Sequence, residues 1–343
     1  LRMYIKKILV IIALLGLVGC AFFAYFIYNA ILIPNTAFEN DKAMIFIGSE
    51  ATFIDVLEDI SPLLLDTETF VTVANKKKYA GNVKPGKYEI KKGMNNNDIV
   101  NTLRVNNIPV RVSFNNQESL ESLSGRIAIQ IEADSISLLT AFKNNNFLNN
   151  NNFSTSTSLG MYIANSYEFF WNTSAEEFRD RMLKEFIRFW NTERLAKAKE
   201  IGLSQNEVIS LAAIVQKETV KIDERPRVAV VYMNRINKGM LLQADPTVVY
   251  AVKKATGIQL KRVLYEHLKI NSKYNTYKYG GVPPGPIVMP DISAISAVLN
   301  YENHSYLYFV ANTKKMGYHK FAKTLSQHNA NAVEYRNWVS KIH

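Results

Sequence analysis

The sequence predicts an α+β protein with one N-terminal transmembrane helix, a small lobe of short strands and helices, and a larger mixed α/β domain. Three observations predict it. Residues 8–28 form an uncharged apolar run, strand-like runs alternate with helical patterns over 43–105, and capped helical segments dominate after residue 173. At 343 residues the chain has room for about two domains.

The run ILVIIALLGLVGCAFFAYFIY matches the ~20 residues a helix needs to cross a bilayer. Arg2, Lys6 and Lys7 precede it and no cation follows before Lys42, so residues 1–7 are expected in the cytoplasm and the body outside it. Leu17-Val18-Gly19-Cys20 also fits a lipoprotein signal cut before Cys20, but the apolar run continues past Cys20 and favours an uncleaved anchor. The expected location is thus the cytoplasmic membrane, single-pass, with the body on its outer side.

The net charge of +11 is spread over scattered Lys and Arg, which points to anionic surfaces and not to nucleic acid. A single cysteine allows no internal disulfide, and the five histidines form no zinc-type pair, so neither metal nor cofactor is expected.

Within 40–106, Met44-Ile45-Phe46-Ile47 and Phe70-Val71-Thr72-Val73 read as strands and 52–59 as a helix. Pro85-Gly86 turns the chain into an alternating strand ending at Ile90, and Asn97 to Leu103 reads as a capped helix. This unit resembles a LysM-type module, a small βααβ fold that recognises N-acetylglucosamine polymers. A packing subdomain without sugar affinity fits the same pattern. Residues 107–160 read as a connector with a strand at 110–114, a helix near 120–131 and an exposed Asn-rich loop at 142–153. The remainder, 161–343, is the expected catalytic domain, opening with a helix over 176–199.

Ser204 and Glu207 form a capping box, and Val208, Leu211, Ala212 and Val215 follow at helical spacing. The helix runs about 14 residues, and Glu218 at its end shares the flank of Leu211, Ile214 and Val215. Desolvation there raises a carboxyl toward the range of a general acid. Taken by position alone, Glu218 fits better as a helix-end acid paired with Arg225 or Arg227.

The block Ile214-Val215-Gln216-Lys217-Glu218-Thr219, Glu224 through Asn234-Arg235-Ile236, and Gly239-Met240-Leu241-Leu242-Gln243-Ala244-Asp245-Pro246-Thr247-Val248-Val249-Tyr250 closely resembles the active-site block of the murein lytic transglycosylase G family, also called the YceG-like family. Ser272 to Tyr277, Gly281 to Ile287 and His319 to Asn329 extend the resemblance, and Asn165 to Phe169 matches less closely. One departure falls here, where the chain has Ile287-Val288-Met289-Pro290-Asp291 in place of the family's usual I-x-N-P-G, so the groove there is expected to be shaped differently.

The resemblance implies an endolytic lytic transglycosylase acting on peptidoglycan strands. Glu218 would protonate the bond between N-acetylmuramic acid and N-acetylglucosamine, then deprotonate the muramyl C6 hydroxyl as a 1,6-anhydro ring closes. Gln243, Asp245, Thr247, Asn234 and Tyr250 are the candidates for holding sugar, since hydroxyl-rich ligands call for side chains that donate and accept hydrogen bonds. Asp245 fits equally as a helix cap. Tyr274, Asn275 and Tyr277 are further groove candidates, and Arg235 a structural partner of Glu224. Peptidoglycan synthases are partners implied by the resemblance alone. The alternatives are a hydrolytic muramidase, with Asp223, Glu224 or Asp245 as second carboxylate, and a non-catalytic wall-binding or synthase-scaffolding protein.

Overall fold

The computed structural model describes residues 2–342, so Leu1 and His343, the outer ends of the expected cytoplasmic segment and catalytic domain, lie outside the described residues. It is a mixed α/β chain in two compact units. One holds residues 1–112, 130–133 and 168–174, the other 113–129, 134–167 and 175–343.

The first unit begins with helix α1 (Arg2–Leu32), of which Tyr4–Leu32 is long and apolar enough to cross a membrane, with a mean hydropathy of 2.7. Its foot is built into the unit. Ala30 is buried, and its carbonyl accepts from Asn96 Nδ2 at 2.8 Å. Asn35 Nδ2 donates to Asn96 Oδ1 and to the Asp66 carbonyl, both at 2.7 Å, so a buried pair of asparagines ties three segments together.

Strands β1 (Lys42–Ile47) and β2 (Gly86–Lys91) pair antiparallel, Lys42 opposite Lys91 and Ile47 opposite Gly86. Ile45, Ile47, Tyr88 and Ile90 point inward at the period of two that a one-sided sheet requires. Between them run α2 (Phe53–Ile60), closed by a Thr52–Asp55 capping box, and α3 (Thr67–Lys76), capped by Asp66. The order is therefore strand, helix, helix, strand. Phe70 to Val73, read above as a strand, is helical: Asp66 caps it, and Phe70, Val73 and Ala74 bury one face at helical spacing. Helix α4 (Asn96–Val105) follows with Asn95 as its cap, and β3 (Pro109–Phe114) leads out.

In the second unit, α5 (Leu120–Ala128) packs on α6 (Ser135–Phe142). The Asn-rich tract contains a helix, α7 (Asn145–Asn150), where a loop was expected. Asn144 supplies its cap and Leu148 buries its apolar contact. The chain returns through β4 (Asn165–Phe170), which pairs with β3. The single helix expected over 176–199 is two, α8 (Ala175–Phe189) and α9 (Thr192–Glu200), because Asn191 breaks the run and caps the second.

Helix α10 (Gln205–Glu218) has the length expected and the expected capping box. Every residue from Val208 to Val215 is buried, so it is a central helix and not one with a single apolar flank. It packs against α11 (Arg225–Asn237), α12 (Asp245–Thr256) and α13 (Ile292–Leu299). At about 1.5–3 kcal/mol per fully buried large aliphatic side chain, Val208, Ile209, Leu211, Ile214 and Val215 fix this helix rigidly in place. The hairpin β5 (Tyr308–Ala311) and β6 (His319–Ala322) follows, covered by α14 (Leu325–Ile342).

Candidate active site

Glu218 is the last residue of α10, after which Thr219 turns to extended backbone. It sits where two spaces in the second unit meet. A groove of 1390 Å³ runs past α5 and α12, a pocket of 280 Å³ lies against α11 and β5, and both are lined by Glu218 and Asp245. Burial pushes the Glu218 carboxyl up to about 7, with the nearby Asp245 charge adding to the rise. The Tyr232 hydrogen bond and His319 oppose it without cancelling it. The end of a helix, where backbone carbonyls point outward, is also a poor place for a negative charge. Such a carboxyl keeps its proton near neutral pH and can still give it up.

Neither Arg225 nor Arg227 pairs with Glu218. Arg225 binds both oxygens of Asp291 at 2.8 Å, and Arg227 binds Glu302. The partner is Tyr232, whose hydroxyl donates to Glu218 Oε1 at 2.7 Å. Tyr232 projects from α11, and its buried ring meets Phe309 of β5 edge-on at 6.0 Å. The sequence carries no local sign of this pairing, since 14 residues separate the two and only the packing of α10 on α11 brings them together.

The five sugar-binding candidates divide. Asp245 opens α12, but Ala244 is the cap residue and the Asp245 side chain does not cap. Its Oδ1 accepts from Tyr277 Oη at 2.6 Å and its carboxylate faces the same spaces as Glu218. Gln243 lines the smaller pocket in a left-handed conformation, φ +53°, strained for a side chain of this kind. Its backbone N–H donates to the Thr276 carbonyl and its side-chain Oε1 accepts from Arg235, which together hold it there. Tyr250 lines the groove, its ring 4.7 Å from that of Tyr274. Thr247, by contrast, is fully buried, with Oγ1 donating to the Ala244 carbonyl at 2.7 Å and lying 2.9 Å from Thr276 Oγ1. Asn234 spends its amide on the carbonyls of His304 and Tyr306. Both are framework residues.

The 272–277 segment divides in the same way. Asn275 is buried and holds the Leu268 and Ile270 carbonyls, while Tyr277 reaches the smaller pocket. Arg235 does not pair with Glu224. It donates to the carbonyls of Leu307, Leu241 and Leu242, locking β5 against the loop that carries Gln243. Glu224 instead accepts from the backbone amide and Nδ1 of His319, at 2.6 and 2.9 Å. Burial works to raise its carboxyl, yet those hydrogen bonds outweigh burial and the net shift is downward. The departing loop at 288–291 is stitched to the base of α10, where Gln216 bonds Met289 and Asp291. Pro286 and Ile287 just before it line the groove. Among the described residues, no three His, Cys, Asp or Glu side chains gather as a metal site requires.

Comparison with known proteins gives a consistent result. A model of the YceG-like family matches residues 45–334. An endolytic murein transglycosylase of Bacillus subtilis is 37% identical over 164 residues, 48% of this chain and 44% of that protein. One from Streptococcus pneumoniae is 32% identical over 171 residues, 48% of this chain and 30% of that protein. The match thus spans less than half the length of these relatives. A crystal structure of a yceG-like protein from Listeria monocytogenes superposes with a TM-score of 0.57 at 26% identity, covering 85% of this chain and 99% of that one.

Proposed function

The chain belongs to the YceG-like family, and from that premise we propose that it is an endolytic murein transglycosylase, held on the outer face of the cytoplasmic membrane by α1. It cleaves the β-1,4 bond between N-acetylmuramic acid and N-acetylglucosamine in nascent strands and leaves 1,6-anhydro ends. The observation that carries this reading is a carboxyl pushed up to about 7 at the junction of a long groove and a small pocket.

Tyr232 occupies Oε1 and leaves Oε2 of Glu218 for substrate. The protonated acid donates to the leaving glycosidic oxygen as the bond to the muramyl anomeric carbon breaks. The carboxylate so formed takes the proton from the C6 hydroxyl, whose oxygen attacks that carbon and closes the anhydro ring. No water enters, and Glu218 ends protonated as it began. Asp245, beside it, supplies negative charge for the oxocarbenium-like state. Gln243 and Tyr277 position hydroxyls in the smaller pocket, and Tyr250 offers its ring in the groove. The βααβ unit, as a LysM-like module, would add a second contact to the strand.

Mass spectrometry of strands digested by the full-length protein tests the proposal. Anhydro-muramyl ends are expected, with a loss of at least about a thousandfold in Glu218→Gln. Reducing muramyl ends would instead indicate hydrolysis, for which Asp245 is the second carboxylate that shares these spaces with Glu218. Asp223 and Glu224 line neither, being engaged by Tyr318 and His319.

A further inference from the structure

The groove beside Glu218 carries a charge imbalance that bond cleavage does not use. Lys143, Lys217, Lys253, Lys254, Lys261 and Arg262 line it. Three of these are paired with acids, though two of them share one carboxylate. Lys143 pairs with Glu121, while Lys217 and Lys253 share Glu118 at 2.9 and 2.6 Å. Those two bonds hold the Glu118 carboxyl down at about 2, so it stays charged and spoken for. Lys254, Lys261 and Arg262 have no carboxylate within ion-pair distance among the described residues, and they stand on one stretch, the end of α12 and the segment after it. Asp245, the remaining acid of the groove beside Glu218, keeps its charge, accepts from Tyr277 and forms no ion pair with these three cations among the described residues.

Lys254 is not a loose surface lysine. Its Nζ lies 4.8 Å from the Tyr274 ring centroid and 5.7 Å from that of Tyr250, so two aromatic faces hold the ammonium without cancelling its charge. A walled groove with uncompensated cations concentrates anions.

We infer that Lys254, Lys261 and Arg262 form a carboxylate-binding wall, so that the groove selects an acidic glycan over a neutral one. The inference rests on the proposed function, which supplies the polymer. Its carboxylates come from the stem peptide or, where the peptide has been removed, from the lactyl group of the muramyl residue. Both present the same chemistry to an ammonium or guanidinium.

The test uses full-length Glu218→Gln protein in detergent, which leaves bound strands intact, and three fluorescent ligands of equal length: peptide-bearing strands, amidase-stripped strands and neutral chitin oligomers. At least one acidic strand should bind roughly tenfold more tightly than chitin, and which one does so identifies the source of the carboxylate. Adding Lys254→Gln, Lys261→Gln and Arg262→Gln should bring that affinity down to the chitin level while chitin binding changes less than twofold. Equal affinity for all three ligands, or a combined variant weakened on chitin as much as on acidic strands, overturns the inference. Digests with the active protein keep the two readings apart. Anhydro ends without any preference for acidic strands remove the wall alone, and an acidic preference without cleavage removes only the enzymatic reading.

Discussion

The chemistry of the site condenses onto the contact between Glu218 and Tyr232. A carboxyl raised from its ordinary 4.5 to about 7 is tuned for proton transfer, and that tuning costs stability. The unfolded chain releases this proton near pH 4.5 and the folded chain only near 7. Folding is therefore opposed by a term that appears as pH rises through that window and is complete above it. Glu218→Gln removes the term and keeps an acceptor for Tyr232. The variant is expected to match the parent at pH 4 and to exceed it by on the order of 3 kcal/mol at pH 8, measured by denaturant melts at both pH values. Tyr232→Phe acts in the opposite sense on titration. The hydroxyl stabilises the ionised carboxylate, so its loss lets burial push the Glu218 carboxyl higher still. The upper limb of the pH–kcat profile should move to higher pH, kcat should fall about tenfold, and KM should stay within twofold, because the ring still packs on Phe309. A limb that does not move would show that Tyr232 does not tune the acid.

Individual elements are held by features of very different visibility. The Pro283-Pro284-Gly285-Pro286 loop reaches the groove only because Gly285 lies against the backbone of Ser156, where a Cβ would overlap the Ser156 carbonyl oxygen. Gly285→Ala should push the loop off, lowering stability by about 2 kcal/mol or more and strand cleavage with it, as read by melts and digest rates. Helix α10 was legible in advance because its signal is local: Ser204, Glu207 and the apolar positions between them and Glu218. Asp245 and Gln243 are candidates for a different reason, as hydrogen-bonding side chains of the block that resembles the family's active site. Phe70 to Val73 was misread because a β-branched, aromatic run imitates a strand, and the Asp66 cap that decides for a helix stands four residues upstream. The helix in the Asn-rich tract was hidden by composition, although Asn144 is itself a good cap. Thr247 and Asn234 are candidate sugar contacts in the sequence because they are hydrogen-bonding side chains of the block that resembles the family's active site. Their hydrogen bonds run to carbonyls that only the folded chain brings near. Tyr232 lay beyond any local pattern, since its role depends on how two helices pack.

The whole molecule joins a long apolar helix, a βααβ unit and a groove-bearing unit in one chain. The groove's cations form part of a surplus of positive charge that the sequence spreads widely, and structure alone reveals which of them have no acid beside them. The foot of α1 has a consequence for reach. Tyr4–Leu32 spans 29 residues, about 44 Å at 1.5 Å per residue, against a hydrocarbon core of about 30 Å. The surplus does not end in a slack tether, because Ala30, Asn35 and Asn96 rivet the helix to the unit that follows. Were that helix to span a bilayer, it would act as a stilt whose length sets how far the βααβ unit stands from the lipid.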